Sequence, residues 1–328
     1  MIKILPLPAA APVYQGGQYT YCRNLIDLFK GNDEIAFDEI RQPECRNLPL
    51  FRKLWFDWDD LRKRIEESHC DIVFINGYAE FSVWQEFIMA KKLNKRIVYA
   101  PHFHPFDFLE RPMLGKIFFN TCIRPLLKWT SGIVTIGKTD STYFKGYGDK
   151  VYMVPHHFVP QKSSAGKVEK KKDMILFVGR NEPNKGMEYL YAIPEKYEVH
   201  CVTGGELARK DFIQHKNIPQ EELDRLYSEA SLVVIPSRYE AFSYVALEAF
   251  TRGTPVLMSS NVKIADYLKD EKGYSIFPYG SIESFLEKIE STIGSEVETE
   301  RILEKFRPDI IREEYVEIFK NAMNEQHR

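Results

Sequence analysis

The sequence predicts an α/β protein made of two Rossmann-like domains facing a central cleft. Three observations predict it. Short apolar, β-branched runs alternate with longer stretches of helical period along the whole chain, the pattern of parallel sheets covered on both faces. At 328 residues the chain is too long for one ordinary core and accommodates two α/β domains. Near its middle, the polar, lysine-rich segment from Gln161 to Lys172 reads as a surface linker, and Met174–Val178 then restarts a buried strand.

In the first half, apolar runs predict strands at Ile2–Leu5, Asp71–Ile75, Arg96–Tyr99, Gly132–Ile136 and Val151–Val154. The second half predicts them at Met174–Val178, Tyr197–Val202, Leu232–Ile235, Pro255–Met258 and Gly273–Phe277. Helical periodicity fills the intervals at Tyr19–Lys30, Leu54–Ser68, Glu80–Leu93, Gly186–Ile193, Glu221–Ala230 and Ser281–Ile293. A last helix follows from the spacing of Ile311, Tyr315, Ile318, Phe319 and Met323.

Composition narrows the function classes. With 44% apolar and 28% charged residues the chain is globular, and a formal net charge of -2 gives no electrostatic case for nucleic acid as a partner. Cys22, Cys45, Cys70, Cys122 and Cys201 have neither metal-ligand spacing nor the arithmetic of a disulfide framework, so a cytoplasmic, reducing compartment is expected. The amino-terminal apolar run is broken by Pro6 and Pro8, unlike a signal peptide, and no window is apolar enough to span a bilayer.

The most informative segment is Pro236 to Val256, in which Glu240 and Glu248 are separated by seven residues. Ser231–Pro236 reads as a strand, Ser237–Glu240 as a loop, and Val245, Leu247, Ala249 and Phe250 as the buried side of a helix. Glu240 is therefore expected at the carboxyl end of a strand. Glu248 falls in the early turns of the following helix, beside unpaired backbone N–H groups. Open α/β sheets bind ligands at that place. A second loop, from Gly179 to Gly186, follows the Met174–Val178 strand and carries Arg180 and Lys185. A guanidinium fork, an ammonium and a helix amino terminus can hold a diphosphate without a metal.

On these residues the chain resembles the retaining glycosyltransferases of family 4, the glycosyl transferases group 1, which have the GT-B fold. Glu240 and Glu248 match that family's glutamate pair, with Pro236-Ser237 and Gly253-Thr254-Pro255 in its flanks. Gly179-Arg180 and Lys185-Gly186 resemble its phosphate loop. Gly16-Gly17 is similar to the glycine-rich first loop, and Pro101-His102 resembles the loop with the active-site histidine, with His104 as the alternative. The likeness is specific in the second half and weaker in the first.

The resemblance implies transfer of a sugar from a nucleotide-diphosphate sugar to a glycan or lipid-linked acceptor, with retention and without a metal cofactor. Catalytic roles fall to Glu240, His102, Arg180 and Lys185. Donor binding falls to Gly16, Gly17, Gly179, Arg180, Lys185, Glu240, Phe242, Ser243, Tyr244 and Glu248. In this scheme Glu248 anchors the ribose hydroxyls, Glu240 places the transferred sugar, and the cations neutralise the leaving diphosphate. The leaving phosphate oxygen takes the acceptor's proton. The implied division is 1–157, an acceptor-side domain, 158–306, a donor domain, and 307–328, a helix returning to the first domain.

Four further readings need the structure. Asp57-Trp58-Asp59 is a literal Asp-x-Asp string of the metal-chelating kind, yet it lies in a stretch that reads as a helix with acids near its start. Ala241 and Ser243 stand where the family commonly has glycines, and both resist positive φ. His157 replaces another glycine and Gly137-Lys138 a more usual serine; with Ala241 and Ser243, His157 supports an alternative function as a catalytically decayed nucleotide-sugar-binding scaffold or partner subunit. Lastly, aromatic and cationic residues alternate at Arg52–Trp58 and Phe118–Trp129, which suits either ordinary core helices or a peripheral contact of the amino-terminal domain with the inner face of a membrane.

Overall fold

The computed structural model describes residues 1–8, 17–41, 44–48, 53–78, 80–102, 112–161 and 168–325. The chain divides into two compact units, Met1–His156 with Pro308–Arg328, and His157–Arg307.

In the first unit β1 (Ile2–Pro8) leads through α1 (Gly17–Leu28) to β2 (Ile35–Phe37). A hairpin of β3 (Cys45–Leu48) and β4 (Lys53–Phe56) then precedes α2 (Trp58–Glu67), β5 (Ile72–Asn76), α3 (Phe81–Lys92) and β6 (Arg96–Ala100). After α4 (Pro112–Phe118), a π turn and a 3-10 turn come β7 (Gly132–Thr135), α5 (Lys138–Phe144) and β8 (Val151–Met153). The sheet is wholly parallel, in the order β2-β1-β5-β6-β7-β8. Every residue of β5 is buried, as expected of a central strand covered on both faces.

The predicted helix Leu54–Ser68 is corrected at its start, because Leu54–Phe56 belongs to β4. Trp55 pairs with Arg46 and Phe56 with Cys45. Gln85 on α3 accepts from Phe56 N–H and donates to Phe56 C=O, both at 2.8 Å, so this backbone is satisfied from a distant helix. Helical periodicity could not register that partner. Asp57 is the N-cap of α2: its Oδ1 accepts from the N–H groups of Asp59 at 3.0 Å and Asp60 at 3.2 Å. The Asp-x-Asp string is thus the start of a helix, with Asp59 in its first turn.

In the second unit β9 (Lys171–Val178), α6 (Met187–Tyr191), β10 (Glu198–Val202), β11 (Ile213–His215), α7 (Gln220–Glu229) and β12 (Ala230–Ile235) are followed by α8 (Tyr244–Thr251). β13 (Val256–Ser259), β14 (Tyr274–Phe277), α9 (Ile282–Thr292) and α10 (Thr299–Glu304) complete it. This sheet is also parallel, in the order β11-β10-β9-β12-β13-β14. The end of the lysine-rich stretch is built into the sheet rather than left as linker. Lys171 opens β9, and Lys170 Nζ donates to Ala230 C=O at 3.1 Å.

The carboxyl-terminal helix, α11 (Pro308–Asn324), starts with proline at a position where no N–H is needed. Its buried face, Ile311, Tyr315, Ile318, Phe319 and Ala322, joins the core of the first unit with Ile4, Leu25 and Phe74. No helix among the described residues is long and apolar enough to cross a membrane.

Candidate functional site

Chain order decides where the second sheet can hold a ligand. From β9 the chain runs to β10 and β11 on one side, then crosses to β12, β13 and β14 on the other. The loops after β9 and β12 therefore diverge at a topological switch point, where the carboxyl ends of parallel strands leave a crevice. Both motifs of the sequence lie there.

The two loops are tied together by backbone geometry. Pro183–Lys185 forms a 3-10 turn closed by Gly186, whose φ is +71°. A Cβ at Gly186 would fall 2.0 Å from Pro236 C=O, so only glycine permits this approach to the end of β12. Arg238 N–H donates to Asn184 C=O at 2.8 Å, and Asn184 Nδ2 donates to Tyr239 C=O at 3.1 Å. From the other side Glu240 N–H donates to Asn261 C=O at 3.2 Å and Lys263 N–H to Glu240 C=O at 2.9 Å. Glu240 is thus held by the loops after three adjacent strands, β9, β12 and β13.

Its carboxylate is held as closely as its backbone. Lys185 Nζ lies 3.1 Å from Glu240 Oε2, and Ser237 Oγ donates to the same oxygen at 2.9 Å. The two charged side chains are 21% and 15% exposed, so the ion pair is screened far less than a surface pair would be. Oε1 of Glu240 has no hydrogen-bond partner among the described residues. Arg180, by contrast, is 78% exposed and pairs with Glu182 at 2.9 Å. The structure brings Lys185 and Glu240 together and points Arg180 to its own loop. Gly179 follows β9 directly, its N–H donating to Val202 C=O at 3.1 Å.

Ser243 is the N-cap of α8: its fully buried Oγ accepts from Ala246 N–H at 3.4 Å. Its φ is -115°, and neither Ala241 nor Ser243 is among the described residues with positive φ. The two replacements therefore cause no backbone strain in this turn. Phe242 is buried against Tyr244 and Phe306, with ring centroids 5.3 and 5.7 Å away, which fixes the loop at the helix start. Glu248 sits in the second turn of α8, half-buried, and accepts from Tyr227 Oη at 2.7 Å. Burial pushes its carboxyl above the usual range, aided by Asp224, while the Tyr227 hydrogen bond and Arg252 pull it back.

In the first unit Gly17 opens α1, while Gly16 and His104 lie outside the described residues. His102 follows β6 with φ +43°, a left-handed conformation unusual for a residue with a Cβ. Its ring meets Tyr21 edge-on at 4.5 Å, and His156 lies 4.9 Å from the same tyrosine. Tyr21 and Tyr315 share a hydrogen bond through their hydroxyls, so α1 and α11 build the wall against which His102 packs.

Ser237 and Tyr227, which hold the Glu240 and Glu248 carboxylates, were given no role by sequence reasoning. Ser237 was visible in the Pro236-Ser237 flank as a motif residue without a role. Tyr227 gives no local signal, because its partner is twenty-one residues away on another helix.

Residues 159–307 match the family model for glycosyl transferases group 1. That match spans nearly the whole of the second unit, His157–Arg307. The chain is also 34% identical over 182 residues to an uncharacterised glycosyltransferase of Methanocaldococcus jannaschii, a match that covers 48% of the chain and 47% of that protein. It thus spans about half the length of that relative. It is 22% identical over 358 residues to an uncharacterised protein of the cps region of Klebsiella pneumoniae, covering 95% of the chain and 98% of that protein. The lipopolysaccharide outer core galactosyltransferase WaaB in its apo form superposes with a TM-score of 0.70 at 17% identity, covering 98% of the chain and 99% of WaaB. Anabaena HepE in complex with UDP does so with a TM-score of 0.70 at 14% identity, covering 98% of the chain and 100% of HepE. The two parallel sheets with their helices are the two-domain GT-B fold, and the residues that match the family model lie in its second half.

Proposed function

We propose that this protein transfers a sugar from a nucleotide-diphosphate sugar to a glycan or lipid-linked acceptor, with retention at the anomeric carbon. The observation that carries the reading is the Lys185–Glu240 pair at the switch point of a group 1 glycosyl transferase domain. A carboxylate oriented by a cation and a hydroxyl, with one oxygen left to accept from a ligand, suits placement of a sugar. Lys185 also supplies positive charge where negative charge would develop on a leaving diphosphate, and Arg180, exposed on the same loop, adds a second cation when a diphosphate displaces Glu182. Backbone N–H groups of Phe242, Ser243 and Tyr244, at the start of α8, complete the proposed phosphate side. HepE, of the same fold, is described with UDP and with UDP-glucose, which supports a nucleotide-sugar donor here.

Glu248 is assigned to the ribose hydroxyls and His102 to the reacting sugar. The left-handed backbone at His102 supports a functional constraint at that residue. With Lys185 and Arg180 as the neutralising charges and Asp57 engaged as a helix cap, the proposed transfer proceeds without a divalent ion. The test is incubation with a panel of nucleotide sugars: slow release of free nucleotide supports the transferase. Binding without turnover in any acceptor mixture would favour the scaffold, a reading that the ordinary backbone at Ala241 and Ser243 does not support.

A peripheral membrane contact through the first unit belongs to the same proposal. Phe119, Ile123, Leu126 and Leu127 are core residues, so most of the apolar part of Phe118–Trp129 is already covered. Met113, Leu114 and Ile117 of α4 are instead 75%, 59% and 53% exposed, with Lys116 between them and exposed Arg124 and Lys128 beyond. Flotation with anionic vesicles at low salt tests it, and absence of binding rejects it.

A further inference from the structure

The structure assigns a second tier to the donor site: Tyr227 is a positioning residue that presents the Glu248 carboxylate to the ribose of the donor. This rests on the donor-site reading above. It is carried by how α7 and α8 are joined, which no motif of the chain records.

Two rungs connect these helices. Asp224 and Tyr227, three residues apart on α7, meet Arg252 and Glu248, four apart at the end of α8. In the first rung Arg252 Nη2 donates to Asp224 Oδ2 at 2.6 Å, with side chains 8% and 9% exposed. Both charges are met within the pair, so this rung fixes helix against helix. The second rung differs. Tyr227 Oη donates to Glu248 Oε2 at 2.7 Å, and Glu248 Oε1 has no partner among the described residues. A phenol donates one proton to one oxygen, which fixes the carboxylate rotamer and leaves the other oxygen to accept from a ligand.

Tyr227 is itself immobilised. Its ring is fully buried, and Thr254 Oγ1 donates to its backbone C=O at 2.6 Å. Thr254 in turn receives Lys170 Nζ at 2.5 Å, tying the end of α7 to the segment that enters β9. A half-buried carboxylate without such a donor would both turn between rotamers and bind a proton more readily, because burial already disfavours its charge. Tyr227 opposes both tendencies by touching the carboxylate, not the ligand. Ribose recognition needs an ionised, oriented acceptor, so the phenol acts on nucleotide affinity through Glu248 alone.

The experiment compares affinity for a nucleoside diphosphate and its 2′,3′-dideoxy form, using whichever of UDP, GDP and ADP binds tightest, by titration calorimetry. In the wild-type protein the dideoxy form is expected to bind about ten-fold weaker or worse, the scale of a lost hydrogen bond to a charged group. Tyr227→Phe should weaken the ribose form by a similar factor and leave the dideoxy form unchanged, collapsing the ratio toward one. In a Glu248→Ala background it should have no further effect. Equal weakening of both forms, or an unchanged ratio, overturns the assignment of Tyr227. Binding of none of the three diphosphates, or a wild-type ratio of one, overturns instead the donor-site reading on which it rests. Tyr227→Met, which occupies much of the same space without a hydroxyl, gives the same comparison if the phenylalanine variant does not fold.

Discussion

Lys185 Nζ and Glu240 Oε2 lie 3.1 Å apart and join the loops after β9 and β12, fifty-five residues apart in the chain. Ser237 shares the same carboxylate oxygen. The pair sits where the strand order of the second sheet reverses.

Glu240→Gln keeps the shape and removes the charge that faces Lys185. Transfer is expected to fall by a factor of about 100 or more, the scale of losing a preorganised electrostatic group. Lys185→Met should give a comparable loss. Steady-state turnover of the donor, with circular dichroism and thermal unfolding as controls, measures both. Turnover within about threefold of wild type in a folded Glu240→Gln protein rejects its role.

Nucleotide affinity should have an acid limb set by Glu248. Burial raises this carboxyl, so the ionised form that can accept from ribose is present above the raised pKa and lost as pH falls through it. Loss of affinity is therefore expected to begin at a higher pH than the ordinary glutamate value of about 4.3 would give. Titration of a bound nucleoside diphosphate across pH 4 to 8 reads this directly. An acid limb at the ordinary value rejects it.

Gly186→Ala should destabilise the second unit by about 2–4 kcal/mol, since the left-handed backbone and the clash act together. The φ is +71° and the new Cβ would meet Pro236 C=O at 2.0 Å. Chemical denaturation gives the measurement, and Gly31→Ala provides a contrast. Gly31 also has positive φ, +75°, but nothing lies within 4 Å of its Cβ position. A smaller cost is expected there, about 1–2 kcal/mol.

Glu86 on α3 is fully buried, and neither of its carboxyl oxygens has a partner among the described residues. Burial holds its pKa well above the ordinary range, with Glu80 adding to the effect. The folded state therefore favours the protonated acid. Its contribution is fully present below the unfolded value of about 4.3 and is lost as pH rises toward the folded pKa. Glu86→Gln removes this dependence. Relative to wild type the variant should gain up to about 1.4 kcal/mol for each pH unit raised within that window. Urea denaturation at pH 4.5 and pH 7 measures the gap, and a gap independent of pH rejects the protonated state.

Chelation is the simplest of the tests. Transfer is expected to continue in excess EDTA, because Lys185 and Arg180 are proposed to carry the charge neutralisation. Loss of activity on chelation, restored by a divalent cation, would return attention to the carboxylates.

Much of this protein was legible as sequence. The apolar runs of Asp71–Ile75 and Leu232–Ile235 announced strands that the structure places at Ile72–Asn76 and Ala230–Ile235, because strands covered on both faces bury every residue irrespective of distant partners. The glutamate pair and the Gly179–Gly186 loop marked the strand ends that hold the site, since loop chemistry is a local property. The same local reasoning failed at Leu54–Phe56, where cross-strand pairing and Gln85 outweigh helical period. It also failed to separate Lys185 from Arg180, two cations on one loop, of which only the first meets Glu240. The chain by itself determined the α/β architecture and the motif residues, because periodicity and turn chemistry are written in neighbouring positions. Tertiary structure decided which side chains face one another: Lys185 with Glu240, Tyr227 with Glu248, and α11 against the first sheet. Those contacts join positions from twenty-one to about three hundred residues apart, and sheet order, which no local pattern records, sets them.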